Sequence, residues 1–146
     1  MEDIRLECYG KLMHLSWRII RRSRKNLSSL GFAWNQYTVL KHICPGESIT
    51  LSELSSRTFR DSSNITALVD FLEDKGLVER IHDKSDRRVI RVELTDKGED
   101  VRKDVIEKHE TFIASMFENI ADEDMEEFIR LLDIMNRDIN LPDRGC

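Results

Sequence analysis

The 146-residue sequence predicts a mainly α fold with a small β-hairpin, in which a compact middle module is flanked by long N- and C-terminal helices. Three observations predict it. Apolar residues recur at helical spacing towards both ends of the chain, two short capped helical patterns fill the middle, and residues 77–94 change to strand-like alternation around a charged loop.

The first pattern runs from about Asp3 to Leu27, where Cys8, Leu12, Leu15 and Ile19 fall on one stripe that Tyr9, Met13 and Ile20 widen. The region of Gly31 ends it. Trp34 to Ile43 reads as a second helix with Tyr37, Leu40 and Ile43 on one face, stopped by Cys44, Pro45 and Gly46. Thr50 to Glu53 has the S/T-x-x-E form of a capping box, so a short helix follows to about Arg57 with Leu51 and Leu54 inward. Asp61 is suited to cap the next helix, which carries Ile65, Leu68, Val69 and Leu72 on its buried side and ends at Gly76. Two short helices joined by a tight turn are the parts of a helix-turn-helix.

Leu77–Ile81 reads as one strand and Val89–Leu94 as another, with Ile90, Val92 and Leu94 alternating against Arg91 and Glu93. The loop between them, residues 82–88, is polar and charged, so the hairpin forms a wing. Thr95 or Asp96 then caps a long helix through Val101, Val105, Phe112, Met116 and Ile120, and a last helix carries Met125, Phe128, Leu132, Met135 and Ile139.

With two prolines and no Ser/Gly-rich tract, residues 1–146 are expected to form a single domain. Within it, 34–95 would be a winged helix-turn-helix and 1–30 and 96–140 a helical dimerisation region. The flanking helices carry more apolar surface than the middle module covers, and a homodimer is the economical way to bury it.

Composition narrows the function. No apolar run is long enough to span a bilayer and the N-terminus has no basic start followed by an apolar stretch, so a cytoplasmic protein with no membrane partner is expected. Three widely spaced cysteines without a CxxC fit reduced thiols better than a disulfide framework, and a metal site is not expected. No P-loop, GxGxxG, HExxH or GxSxG occurs, so the sequence argues against an enzyme and implies no cofactor.

The net charge of −5 opposes a nucleic-acid partner only when it is averaged over the chain. Residues 1–56 carry 8 basic and 5 acidic groups, residues 57–92 carry 8 and 7, and residues 93–146 carry 7 and 16. Acidity is thus concentrated in the last third, away from the helix-turn-helix.

On the helix expected after Asp61, the outward residues are Ser62, Ser63, Thr66, Ala67 and Asp70, with Asn64 beside them. Small polar groups allow close approach to a major groove, where they hydrogen-bond base edges or phosphates. The hairpin loop offers Lys84, Arg87 and Arg88, with Arg91 on the adjoining strand, and long cationic side chains on a projecting loop suit a narrow minor groove. Asp86 would repel phosphates if unpaired, so it is expected to orient an arginine by an ion pair. A winged helix that docks a protein instead of DNA remains the alternative, and salt dependence separates the two.

The segments LEDKGLVER (72–80) and DRRVIRVELTDKG (86–98) together resemble the signature of the MarR family of regulators, an L-E-x-x-G-L-x-x-R helix end followed by D-x-R-x-x-x-x-x-L-T. The order of elements matches over nearly the whole chain, and Trp34 to Tyr37 falls where the family's second helix starts. The resemblance implies a homodimeric transcriptional regulator, usually a repressor, on a pseudo-palindromic operator. Asp86 and Arg88 match the wing pair, and Ser62, Ser63, Asn64 and Thr66 fall on the recognition helix.

Many members of such a family respond to a phenolic or other small aromatic anion bound between the dimerisation helices and the DNA-binding module. His14, Trp17, Arg21 and Tyr37 suit such a ligand in this chain, since aromatic faces and a cation match an aromatic carboxylate. Other members sense oxidants through a cysteine on the first helix, where Cys8 stands here. Metal sensing by His14, His42, Cys8 or Cys44 is the least favoured reading. Arg18, Arg21, Arg22, Arg24 and Lys25 form a basic cluster best read as a solvated helix face balancing the acidic last third.

Overall fold

The computed structural model describes residues 3–58 and 64–139. It contains, in order, α1 (Ile4–Ser29), α2 (Trp34–His42), β1 (Ile49–Thr50), α3 (Leu51–Thr58), α4 (Ile65–Asp74), β2 (Val78–His82), β3 (Ile90–Leu94), α5 (Asp96–Ser115) and α6 (Asp122–Ile139).

Local chemistry sets the ends of these elements. Asp3 caps α1 by accepting from the Arg5 backbone N–H. The capping box of α3 closes both ways: Glu53 N–H donates to Thr50 Oγ1 at 3.1 Å, and Thr50 N–H donates to Glu53 Oε2 at 3.1 Å. Gly76 ends the α4 region at φ +71°, a left-handed conformation in which a side chain would be strained. Of the two caps expected for α5, Thr95 is the one used, its Oγ1 accepting from Gly98 N–H at 3.0 Å.

The sheet is antiparallel with order β1-β3-β2, and Arg80 pairs with Val92 in the wing. Strand β1 is a departure from the expected two-stranded hairpin. Its two residues pair with Val92 and Arg91 of β3, some forty positions later, and Ile49 is sealed into the core. Such a strand exists through its distant partner, so local periodicity carries no sign of it.

The core lies where α2, α3, α4 and the sheet converge, built from Leu40, Ile43, Ile49, Leu54, Val69, Leu72 and Val92, all almost fully buried. Leu27 of α1 and Val105 of α5 join this core and attach the long helices to it. The inward face of α1 is half-buried Leu12, Ser16 and Ile19, then buried Ser23 and Leu27, whereas Cys8 and Leu15 of the expected stripe are exposed. Helix α1 leaves Tyr9, Met13, Trp17 and Ile20 uncovered, and α6, which packs broadly on no other element among the described residues, leaves Leu131, Met135 and Ile139 uncovered.

Candidate nucleic-acid interface

The wing is built on two aspartates. Asp83 opens the loop: its Oδ2 accepts from the backbone N–H groups of Ser85 and Asp86 at 3.0 and 3.1 Å, and its Oδ1 accepts from Arg91 Nε at 2.5 Å. Arg91 also donates to the Ser48 carbonyl oxygen at 2.9 Å, tying the wing to the segment just before β1. The Arg91 guanidinium, followed by those two backbone N–H groups, holds the Asp83 carboxyl below the ordinary carboxylate range. Arg91 is thus committed to the loop's architecture.

Asp86 does the same one step outward. Its carboxylate accepts from the Arg88 backbone N–H at 3.0 Å and from Arg88 Nε and Nη2 at 3.1 and 3.2 Å. The Arg88 side chain and then its backbone N–H hold the Asp86 carboxyl below its ordinary range. The expected aspartate–arginine pair therefore forms, and the arginine remains 91% exposed, so the pair aims the guanidinium without hiding it. Lys84 and Arg87 are exposed on the same loop, and the Arg87 carbonyl lies 2.9 Å from His82 Nδ1.

Of the recognition-helix residues, Asn64 directly precedes α4 and Thr66 lies in its first turn, both exposed. Ser62 and Ser63, with the expected cap Asp61, lie outside the described residues. Asp70 is held by Arg80 of β2, whose Nη2 donates to Asp70 Oδ1 at 2.5 Å and to the Thr66 carbonyl at 3.2 Å, while Nη1 donates to Glu73 Oε1 at 2.8 Å.

At the other end of the hairpin, Thr95 Oγ1 donates to the Gly76 carbonyl at 2.6 Å and Thr95 N–H to the Leu77 carbonyl at 3.0 Å. Gly98 passes so close that a Cβ there would stand 1.8 Å from the Leu77 oxygen. The L-T-D-K-G run is therefore a weld between wing and α5. Asp83, Arg80 and Arg91 were the residues whose roles sequence reasoning missed. Only Asp83 carried a local signal, an aspartate two and three positions before the N–H groups it accepts from.

The candidate ligand residues divide. His14, Trp17 and Arg21 line a cavity of about 910 Å³ together with Arg18, Arg22 and Lys25 of α1 and Met116, Phe117, Ile120 and Phe128 of the C-terminal region. Tyr37 is not among them. It is buried on α2, with its ring edge-on to His109 of α5 at 5.1 Å, so the four residues do not share one cleft.

Cys8 is an exposed free thiol on α1. The expectation of reduced thiols also involves Cys146, which lies outside the described residues. Among the described residues no three His, Cys, Asp or Glu side chains gather to hold a metal ion, and no helix is long and apolar enough to cross a membrane.

Two helices at the sheet's edge, a braced cationic wing and long flanking helices define a winged helix-turn-helix regulator that binds DNA. Residues 32–90 match the profile of the MarR family. The chain is 31% identical over 121 residues, 83% of each protein, to the uncharacterised HTH-type transcriptional regulator YsmB of Bacillus subtilis (strain 168). It is 30% identical to the HTH-type transcriptional repressor MdtR of the same organism, over 86% of this chain and 78% of that one. Among solved structures, a MarR family protein from Bacillus stearothermophilus superposes with a TM-score of 0.76 at 28% identity, covering 97% of this chain and all of that one. The chain belongs to the MarR family and is a transcriptional regulator, not an enzyme.

Proposed function

We propose that the protein acts in the cytoplasm as a homodimeric repressor on a pseudo-palindromic operator, with the wing in the minor groove and the start of α4 in the major groove. The observation that carries this reading is the wing tip, where Asp83 and Asp86 hold the loop and Arg88 is almost fully exposed on the same loop as the exposed Lys84 and Arg87. A guanidinium pre-oriented in this way loses little side-chain freedom on entering a narrow groove. At the start of α4, the cap residue Asn64 and Thr66 of the first turn, with Ser62 and Ser63 preceding them in sequence, supply the base-reading polar groups.

The uncovered stripes on α1 and α6 favour a dimer, because apolar area of that extent is rare on a monomer and a two-fold pair sets two wings on one face of a duplex. Repression is supported by the likeness to MdtR, itself a repressor. The effector best suited to the α1 cavity is a small aromatic or phenolic anion, with Trp17 against the ring and Arg21, already 5.4 Å from the Trp17 ring centre, on the charge.

The test is fluorescence anisotropy on duplex DNA from the gene's own upstream region and on a scrambled duplex, at several salt concentrations. Tight binding that favours the upstream duplex and weakens steeply with salt is expected. Arg88→Ala should weaken both duplexes by about tenfold with little loss of preference, and Asn64→Ala should reduce the preference itself, by roughly 1 kcal/mol or more. No binding to either duplex at low salt would sink the reading and favour a protein-docking winged helix.

A further inference from the structure

The outer side of α4 carries a carboxylate that a DNA-reading helix would be expected to avoid. Asp70 is one turn beyond Thr66 and its side chain is 59% exposed. With Glu73 and Arg80 it forms a cluster of net charge −1, so it attracts no phosphate. Its geometry is unusually complete. Both terminal nitrogens of the Arg80 guanidinium are engaged, on Glu73, Asp70 and the Thr66 carbonyl, and the Arg80 backbone N–H donates to Glu73 Oε2 at 3.1 Å. The acceptors stand at positions 66, 70 and 73 of α4, one stripe of the helix, and the donors all come from one residue of β2.

Resting on the DNA-binding reading above, we propose that Arg80 is a positioning residue: it locks the roll of α4 against the wing, and Asp70 acts on DNA recognition through Arg80, without touching a base. An α4 free to roll would carry Asn64 and Thr66 out of register with the wing. The two grooves would then no longer be read together. The guanidinium suits the task because its planar fork serves several acceptors at fixed angles, which an ammonium does not.

Three variants test it by the ratio of affinities for the preferred and scrambled duplexes. Asp70→Ala frees one side of the fork and removes a negative charge. Asp74→Asn removes the same charge from α4 at a residue outside the cluster, and Arg80→Lys keeps the charge but loses the fork. Asp70→Ala and Arg80→Lys are each expected to lower the ratio at least fivefold, while Asp74→Asn leaves it within twofold.

An unchanged ratio for Asp70→Ala, or full retention of preference by Arg80→Lys, overturns the proposal. So does a loss for Asp70→Ala confined to one base pair in a series of single-pair substitutions, which would make Asp70 a base reader. If the wild-type protein prefers no duplex, the regulator reading fails by itself. Positioning is then read without DNA: hydrogen exchange of the α4 amides from Leu68 to Leu72 should accelerate at least tenfold in Asp70→Ala, and equal protection overturns the claim.

Discussion

Replacing Gly98 by alanine opposes two effects of known sign. Alanine is the better helix former by about 1 kcal/mol, so secondary-structure propensity alone predicts stabilisation in the first turn of α5. The structure predicts the reverse. The added Cβ would stand 1.8 Å from the Leu77 oxygen and 2.7 Å from its carbonyl carbon, both backbone atoms that no side-chain rotation removes. Relief requires α5 and the start of β2 to part by more than an ångström.

That movement strains the hydrogen bonds from Thr95 N–H to Leu77 and from Thr95 Oγ1 to Gly76. Each is worth about 1 kcal/mol net, and overpacking adds roughly 1–3 kcal/mol. After the propensity gain, a net loss of about 2–4 kcal/mol remains. Urea unfolding followed by circular dichroism, at one fixed protein concentration because a dimer's stability depends on it, reads the difference. A Gly98→Ala protein as stable as wild type, or more so, would refute the weld between wing and α5.

Asp83→Asn removes the charge that holds Arg91 and weakens the acceptor for two loop N–H groups, so the wing amides should lose exchange protection and operator affinity should fall on the order of tenfold. Unchanged protection would assign the bracing elsewhere. His109 is buried between Ser23 and Asn26. Its Nδ1, 2.8 Å from Asn26 Oδ1, donates there, leaving Nε2 to accept from the Ser23 hydroxyl at 3.0 Å. Burial, and then the Lys41 ammonium, lower its pKa against a smaller opposing pull from Glu110, so the unfolded chain takes up this proton first. Stability from His109 is therefore complete above the ordinary imidazole value and declines as pH falls below it, by at most about 1.4 kcal/mol per pH unit; His109→Gln should flatten the decline between pH 7 and 5, and equal slopes would refute the assignment. Among the described residues the buried Tyr37 hydroxyl has no hydrogen-bond partner, so Tyr37→Phe should leave stability unchanged or raise it by up to about 1 kcal/mol, and a loss of that size in thermal or urea unfolding would mean the hydroxyl is satisfied after all.

Much of the fold and part of the candidate site are legible in the sequence. The capping box at Thr50, the stop at Gly76 and the alternation of Ile90, Val92 and Leu94 are local signals, and the corresponding elements lie within a few residues of their expected bounds. The Asp86–Arg88 pair was legible because a carboxylate two residues from an exposed arginine has one obvious use. Arg91 misled. It reads as another wing cation, yet its guanidinium is bound to Asp83 and Ser48. Tyr37 misled similarly, since an aromatic near cations in sequence reads as a ligand contact until packing places it against His109.

By itself, the sequence determined what depends on neighbours along the chain: helix ends, the strand period, the wing's charge and the excess of apolar surface on the flanking helices. Tertiary structure alone decided what depends on residues brought together from afar. It added β1 to the sheet, set Arg80 across α4, buried His109 between α1 and α2, and pressed Gly98 against Leu77. The physical reason is the range of the forces that choose each feature. Caps and periods are settled by bonds spanning a few residues, whereas the partner of a guanidinium or the clearance at a glycine is settled only when the core has closed.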